Sequence, residues 1–355
     1  MASSALCGLP LNELAELLAP LPRFRALQIF KWIAKGAVSF DEMSSLPQPL
    51  RTELSGRFSI RLSAVENTYT DTDGTIKLAL KLFDGAIIEA VLLEDSAGRR
   101  TACISTQAGC PAGCVFCKTG SLGFLRNLSS SEIVEQLLFL TAAANNTATA
   151  DKTAGHVIDN IVIMGMGEAL LNLAELRRAL TIITSGQGMN FSKRRITLST
   201  CGIAEGIIDL ADKGPDIRLA LSLTTADESL RQKLMPITAA QPLHTVKEAL
   251  RYYQRKGGKR ITLEVVLLGG INTRGEDAVS IAEFAKGLDA AVNVIPWNPV
   301  EGLEPDGLPL RPPSTRETEA FIQRLESLGL NVTRRFRRGR GIMGACGQLG
   351  QLSLH

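Results

Sequence analysis

Gln107-Ala-Gly-Cys110-Pro-Ala-Gly-Cys114-Val-Phe-Cys117 sets three thiols into eight residues, separated by three residues and then by two. Gly109, Pro111 and Gly113 punctuate the stretch, which reads as a compact loop rather than a helix or strand. Glycine lets such a loop turn sharply enough for several sulfurs to face one point. Thiolates brought together repel unless a cation sits among them, and that cation is usually a metal. A structural zinc site takes four protein ligands, and the local count stops at three. A [4Fe–4S] cluster is commonly held by four cysteines, so three would leave one iron open to another ligand. A zinc loop stays as the plainer alternative, with its fourth ligand unaccounted for.

The bulk composition suits that kind of chemistry. A chain of 355 residues fits one large domain with an appendage, or two domains. With 45% hydrophobic and 21% charged residues it buries a sizeable core and is not a disordered chain. Seven cysteines, three of them in one loop, do not form the pattern of a disulfide framework. They fit a reducing cytosol, which makes the expected location cytoplasmic. Asn12, Glu13 and Glu16 interrupt the start of the chain before any secretory signal could form. No stretch approaches the ~20 apolar residues needed to cross a bilayer, so no membrane partner is expected.

Upstream of the thiols, residues 1–56 read as helical. Leu11, Leu14, Leu17 and Leu18 recur at helical spacing, and Phe24, Leu27, Phe30 and Ile33 follow at every third position. Residues 57–99 change character. Stretches 60–62, 76–82 and 86–93 predict strands, the first two alternating at period two, with Asp71-Thr-Asp-Gly74 and Asp84-Gly85 between them. The last two form a hairpin in a small antiparallel sheet.

From about residue 100 strand and helix alternate. Strands are expected at 101–106, 160–165, 194–199, 217–223, 261–267 and 291–296, and helices near 130–145, 172–185, 203–213, 243–257 and 277–287. Repeated βα units predict a parallel α/β core with active residues at the C-terminal ends of the strands. Six strands fall short of a closed eight-stranded barrel. Asn145-Asn-Thr-Ala-Thr-Ala-Asp151 reads as a surface loop. Near the C-terminus Arg334, Arg335, Arg337, Arg338 and Arg340 fall within seven residues, around Phe336. Five neighbouring arginines call for an anionic partner, and a phosphate backbone is the natural one. Lys193-Arg-Arg195 is a candidate for the same surface. The division expected is a helical accessory domain over 1–56, a strand extension over 57–99, a core over 100–330 and a basic strand and tail over 331–355.

The CxxxCxxC loop resembles the cluster loop of radical S-adenosylmethionine (SAM) enzymes. The resemblance implies that Cys110, Cys114 and Cys117 hold a [4Fe–4S] cluster whose open iron is chelated by SAM. It also implies an open (βα)6 partial barrel. Pro22-Arg-Phe-Arg-Ala-Leu-Gln-Ile-Phe-Lys-Trp-Ile resembles the small N-terminal domain of the RlmN branch of the RlmN/Cfr RNA methyltransferases. Met164-Gly-Met-Gly-Glu168, after the apolar run Asn160-Ile-Val-Ile, is similar to the Gly-Gly-Glu-type motif that binds the SAM amino group, which implicates Gly167 and Glu168. The family has Pro where Ala169 stands, so a looser turn is expected here.

Three more strand ends match in order. Leu198-Ser199-Thr-Cys-Gly, Leu221-Ser222-Leu223-Thr224 and Ile295-Pro-Trp-Asn298-Pro resemble SAM-contacting segments and implicate Ser199, Ser222, Leu223, Thr224 and Asn298. Thr224 departs from the usual His. Each segment alone is ordinary strand-end capping; their joint occurrence in sequence order carries the argument.

Two lone cysteines and one carboxylate complete the match. A lone Cys is usually a small buried hydrophobe, which is the reading for Cys7 and Cys201. Cys346, in Gly344-Ala-Cys346-Gly-Gln-Leu, has small neighbours and an adjacent positive field that favours thiolate. The resemblance makes it the methyl carrier, Cys103 its disulfide partner and Glu89 the proton acceptor. From the residues alone Glu89 is a strand-face charge.

The activity implied is methylation of adenine carbon 2 in 23S rRNA of the large ribosomal subunit and in certain tRNAs. That carbon offers no nucleophile to ordinary SAM alkylation, which a radical route circumvents. One SAM methylates Cys346; a second yields the radical that activates the S-methyl group toward the ring. Glu89 takes the ring proton and Cys103 attacks the Cys346 sulfur, leaving a disulfide for reduction. An external electron donor of the flavodoxin or ferredoxin type and a monomeric enzyme are further expectations. The rivals are the Cfr branch, which methylates carbon 8; a metal-stapled RNA-binding protein without activity; and a radical SAM enzyme with another substrate.

Overall fold

The computed structural model describes residues 5–146, 157–257, 259–300, 302–303, 308–335 and 338–350. The surface-loop expectation for 145–151 and the arginine-run positions Phe336 and Arg337 fall wholly or mostly outside these residues.

Helical periodicity at the start of the chain yields α1 (Leu11–Leu17), α2 (Arg23–Ala34) and α3 (Gln48–Arg57). The buried stripe of α2 is Ala26, Ile29, Phe30 and Ile33, the i, i+3, i+4, i+7 pattern of one helix face. Phe24, expected on that stripe, is exposed. The segment is seated on α5 (Ser130–Asn145). There Ser130 donates to the Gly8 carbonyl at 2.9 Å, and a Cβ on Gly8 would lie 2.5 Å from Ser131.

Next come three antiparallel strands, β1 (Ala64–Thr70), β2 (Ile76–Lys81) and β3 (Ile87–Glu94). The first is displaced from expectation: residues 60–62 form no strand. The Leu62 and Ser63 N–H groups donate to the buried Glu135 carboxylate, at 2.8 and 3.0 Å, and so do not enter a ladder. β1 itself is exposed along its whole length, so no apolar alternation announces it.

β4 (Arg100–Cys103) pairs antiparallel with β3 and parallel with β7 (Asn160–Ile163), so the extension and the core form one continuous sheet. Between β4 and α5 the chain makes the hairpin β5 (Gln107–Gly109) and β6 (Phe124–Asn127), with the thiol loop and α4 (Lys118–Ser121) at its tip. The parallel strands continue as β8 (Ile196–Thr200), β9 (Arg218–Ser222), β10 (Ile261–Leu267), β11 (Ala290–Pro296) and β12 (Val332–Arg334). Connecting them are α6 (Leu173–Ile183), α7 (Ala204–Lys213), α8 (Glu228–Leu234), α9 (Leu243–Gly257), α10 (Gly275–Ala285) and α11 (Thr315–Ser327). The sheet order β1-β2-β3-β4-β7-β8-β9-β10-β11-β12 is open at both ends. This is the expected α/β partial barrel of six βα units, with β12 added as a seventh parallel strand. Leu198, Leu219, Leu263, Val265, Val292 and Val294 fill its interior and pack its helices.

Candidate active site

Right-handed βα crossovers bring the C-terminal ends of the parallel strands to one face. There they line a cavity with convergent polar groups among apolar ones, the usual make-up of a small-molecule site. β7 contributes Met164, Gly165, Gly167 and Glu168; β8 gives Ser199; β9 gives Ser222 and, just beyond it, Thr224; β11 leads to Asn298. Cys110, Cys114 and Cys117 line the same cavity, and Cys346 closes it from the C-terminal tail.

The thiol loop is held by its backbone. Cys110 N–H donates to the Gly123 carbonyl at 2.7 Å and Val115 N–H to Leu234 at 3.0 Å. Gly109 adopts φ +75°, and a Cβ there would meet the Gly123 oxygen at 2.0 Å, so only glycine fits. Burial pushes the Cys110 thiol up to about 12, with Cys117 and Glu168 adding to the rise. Burial and then the other two cysteines push Cys114 well up, and burial raises Cys117. Three thiols that resist ionisation form a soft donor set that a cation would stabilise. Among the described residues no three His, Cys, Asp or Glu side chains are already gathered as a metal cage. In number the thiols are one short of a closed zinc site and match a cluster that leaves one iron open.

The strand ends supply polar groups that the protein itself leaves unused. Thr224 Oγ1 and Asn298 Oδ1 are buried without a partner among the described residues, so both are free for a polar ligand. Thr224 adopts φ +60°, an outlier for a β-branched residue. Its backbone is fixed there by Asn272, which donates to its carbonyl at 2.9 Å, and by its own N–H, which donates to the Glu264 carbonyl at 3.1 Å. Backbone strain of this kind collects at ligand sites. Ser199 and Ser222 share a hydrogen bond at 3.0 Å.

Glu168 does more than its motif suggests. Its carboxylate accepts from Leu170 N–H at 3.1 Å and Cys201 N–H at 2.7 Å, while its own N–H donates to Gln107 at 2.8 Å. It therefore ties β7 to β8 and firms the turn that the absent proline would otherwise stiffen. Ala169 sits buried behind it, opening the short turn Ala169–Asn172.

Cys346 lines a second cavity as well, of about 1460 Å³, together with Cys103, Arg335 and Arg338. This outer cavity faces the basic segment. Arg335 borders both spaces. Its guanidinium is held further toward the charged form chiefly by Cys346, against the opposing effect of burial, with Glu264 and Cys103 adding to it. It lies beside the thiols and is half-buried, whereas among the described residues of the run Arg334 and Arg340 are exposed.

Two of the expected site residues lie apart from the cavities. Leu223 is buried and does not line the cavity; its N–H donates to the Glu264 carbonyl at 2.9 Å, and its carbonyl accepts from the buried Arg231. Glu89 borders neither cavity. It is buried in an ion pair with Lys77 at 2.9 Å, and the Gly350 N–H donates to its other oxygen at 2.6 Å. The tail lies across it.

Sequence reasoning missed Glu264, Arg335 and Lys77. Glu264 lines the inner cavity, its carboxyl raised by burial against the pull of Arg335 and Asn293. A lone charge within an apolar strand is the signal that marks Glu264.

Residues 104–285 match the family model described as the radical SAM superfamily, and residues 5–60 match that of the ribosomal RNA large subunit methyltransferase N-terminal domain. A probable dual-specificity RNA methyltransferase RlmN from Treponema denticola is 50% identical over 98% of this chain and 95% of its own length. One of the same description from Thermus thermophilus is 40% identical over 96% of this chain and 92% of its own. The crystal structure of a radical SAM methyltransferase from Sphaerobacter thermophilus superposes with a TM-score of 0.90 at 38% identity, covering 97% of this chain and 98% of that one. With both family models and near-full-length relatives in agreement, the chain belongs to the RlmN family of radical SAM enzymes.

Proposed function

We propose that the chain is a dual-specificity RNA methyltransferase acting on carbon 2 of adenine, in 23S rRNA and in the anticodon loop of certain tRNAs, through a methyl group carried on Cys346. The observation that carries this reading is the place of Cys346 between two cavities. One side faces the three thiols and the strand ends; the other faces Cys103 and the basic segment. A carrier loaded on one side and discharged on the other needs that position.

Membership of the radical SAM superfamily implies SAM and a [4Fe–4S] cluster. Cys110, Cys114 and Cys117 would hold the cluster, and Gly167, Glu168, Ser199, Ser222, Thr224 and Asn298 would surround SAM. Bound there, the pair supplies an electron and a 5′-deoxyadenosyl radical. The remaining steps use the chain's own groups. The Cys346 sulfur takes the methyl group of a first SAM, which leaves as S-adenosylhomocysteine, and this makes two SAM per turnover. Asn298 holds the Cys346 carbonyl at 3.2 Å and so fixes the loop that presents the sulfur. Arg335 opposes the effect of burial on the Cys103 thiol and so favours thiolate there. Glu89 accepts the proton that the ring must lose, once the tail lifts from it. As the Cys103–Cys346 disulfide forms, the bond from Cys346 sulfur to the transferred carbon breaks, and that carbon takes a proton to become the ring methyl.

Reduction of the disulfide needs an external donor, which suits a cytoplasmic enzyme acting as a monomer. No helix among the described residues is long and apolar enough to cross a membrane. The helical segment 1–56 is read as an RNA-binding accessory domain, 57–99 as an extension, 100–330 as the core and 331–355 as the carrier tail. That N-terminal domain match, and the relatives' names, favour carbon 2 over the carbon 8 branch.

Peptide mass spectrometry tests the carrier. Reconstituted protein incubated anaerobically with SAM and reductant, without RNA, should carry one methyl on Cys346. Cys346→Ala should lose RNA methylation altogether; full activity in that variant overturns the reading.

A further inference from the structure

Beyond β12 the described residues of the tail have only the short turn Arg340–Ile342 as regular structure, so their place is set by whatever grips their backbone. Several grips come from the strand extension. Asp73 accepts from Gly339 N–H and Asp71 from Gly341 N–H, each at 2.9 Å. Two further grips lead to one buried pair. Lys77 Nζ donates to the Met343 carbonyl at 3.4 Å, and Gly350 N–H donates to Glu89 at 2.6 Å. Lys77 and Glu89 face each other at 2.9 Å with side chains 0% and 2% exposed.

The pair is unexpected where it stands. Alternation along β2 assigns Lys77 to a solvated face, yet Ile76 to Leu80 are all buried. The tail covers that face. Burying two charges is costly even when they pair, so a buried ion pair alone is weak evidence of stabilisation. Here its two ends hold backbone on either side of Cys346, three residues before it and four after.

We propose that Lys77 is a positioning residue for Cys346, and that the Lys77–Glu89 pair is a latch holding the segment Met343–Gly350 at both ends. Hydrogen bonds to charged partners are about twice as strong as neutral ones, so the latch is closed while Glu89 is ionised. Opening of the latch exposes Glu89, and proton acceptance then weakens both its ion pair and its hold on Gly350, so the tail stays free after the ring proton is lost. That last step rests on the reading of Glu89 as proton acceptor; the latch itself does not.

Hydrogen–deuterium exchange of the reconstituted holoenzyme separates the two. In Glu89→Gln, which mimics the protonated carboxyl, amides over 343–350 should exchange about tenfold faster than in wild type, with β7–β10 still protected. Lys77→Met should do the same, and Lys77→Arg should restore much of the protection. Since Lys77→Met leaves a lone buried charge, Lys77→Met/Glu89→Gln provides the neutral pair that keeps the fold; its tail should also exchange faster. Unchanged tail exchange in the double variant overturns the latch. The same samples, given SAM, report the carrier independently. Wild type without a methyl on Cys346 contradicts the proposed function, whereas a methylated wild type beside unchanged tail exchange in the double variant contradicts only the latch.

Discussion

Burial pushes the Cys103 thiol up to about 12, Cys346 adds to the rise, and Arg335 opposes it. Near neutral pH the resting thiol is therefore protonated and a poor nucleophile, because attack on sulfur needs thiolate. Arg335 is the nearest source of the missing charge. Removing it should leave Cys103 still harder to ionise, so the step that frees RNA should slow. In Arg335→Met the protein–RNA cross-link should persist about tenfold longer than in wild type, approaching the permanent adduct expected of Cys103→Ala, with Arg335→Lys intermediate. Denaturing gels of quenched reactions measure it, and an unchanged lifetime removes Arg335 from this role. The sequence presents Arg335 as one of five equivalent arginines. Only the end of β12 decides that this one turns inward, toward Cys346, Glu264 and Cys103.

At the scale of elements, the thiol loop depends on the β5–β6 hairpin as much as on its cysteines. Gly109→Ala forces a side chain into φ +75° and a Cβ to within 2.0 Å of the Gly123 oxygen. A cost above about 2 kcal/mol follows from such a clash at a strained position. Iron bound per chain after reconstitution should fall well below that of wild type although all three cysteines remain; undiminished iron would show that the hairpin is dispensable. The loop was legible from spacing and glycine placement because both are local signals. The βα units were legible for the same reason: Ile261–Leu267 and the apolar face of α6 announce themselves within a single window. β1 was not, since Ala-Val-Glu-Asn-Thr-Tyr-Thr is exposed on both faces and carries no alternation. Nor was the cover over β2, which consists of chain more than two hundred and fifty residues further on.

For the whole molecule, the basic end divides by exposure. Arg334 and Arg340 are exposed, Arg334 on the rim of the outer cavity, and Arg335 lies beside the thiols. Replacing Arg334 and Arg340 together should weaken RNA binding and flatten its dependence on log salt by about 1 for every phosphate that is no longer neutralised. A filter-binding series in salt tests this, and an unaltered slope would move the RNA surface elsewhere. The same division explains how the sheet serves function. Its parallel half gathers the inner cavity, its antiparallel half clasps the tail, and Cys346 sits where the two meet.

The central claim, transfer of a methyl group to adenine carbon 2 by way of Cys346, is tested most directly by nucleoside mass spectrometry against chromatographic standards. Reconstituted protein would be incubated anaerobically with SAM, reductant and unmodified large-subunit ribosomal RNA, and the RNA then digested. The account predicts 2-methyladenosine from wild type and none from Cys346→Ala. A product of 8-methyladenosine, or no methylated adenosine despite bound iron and SAM cleavage, would contradict it.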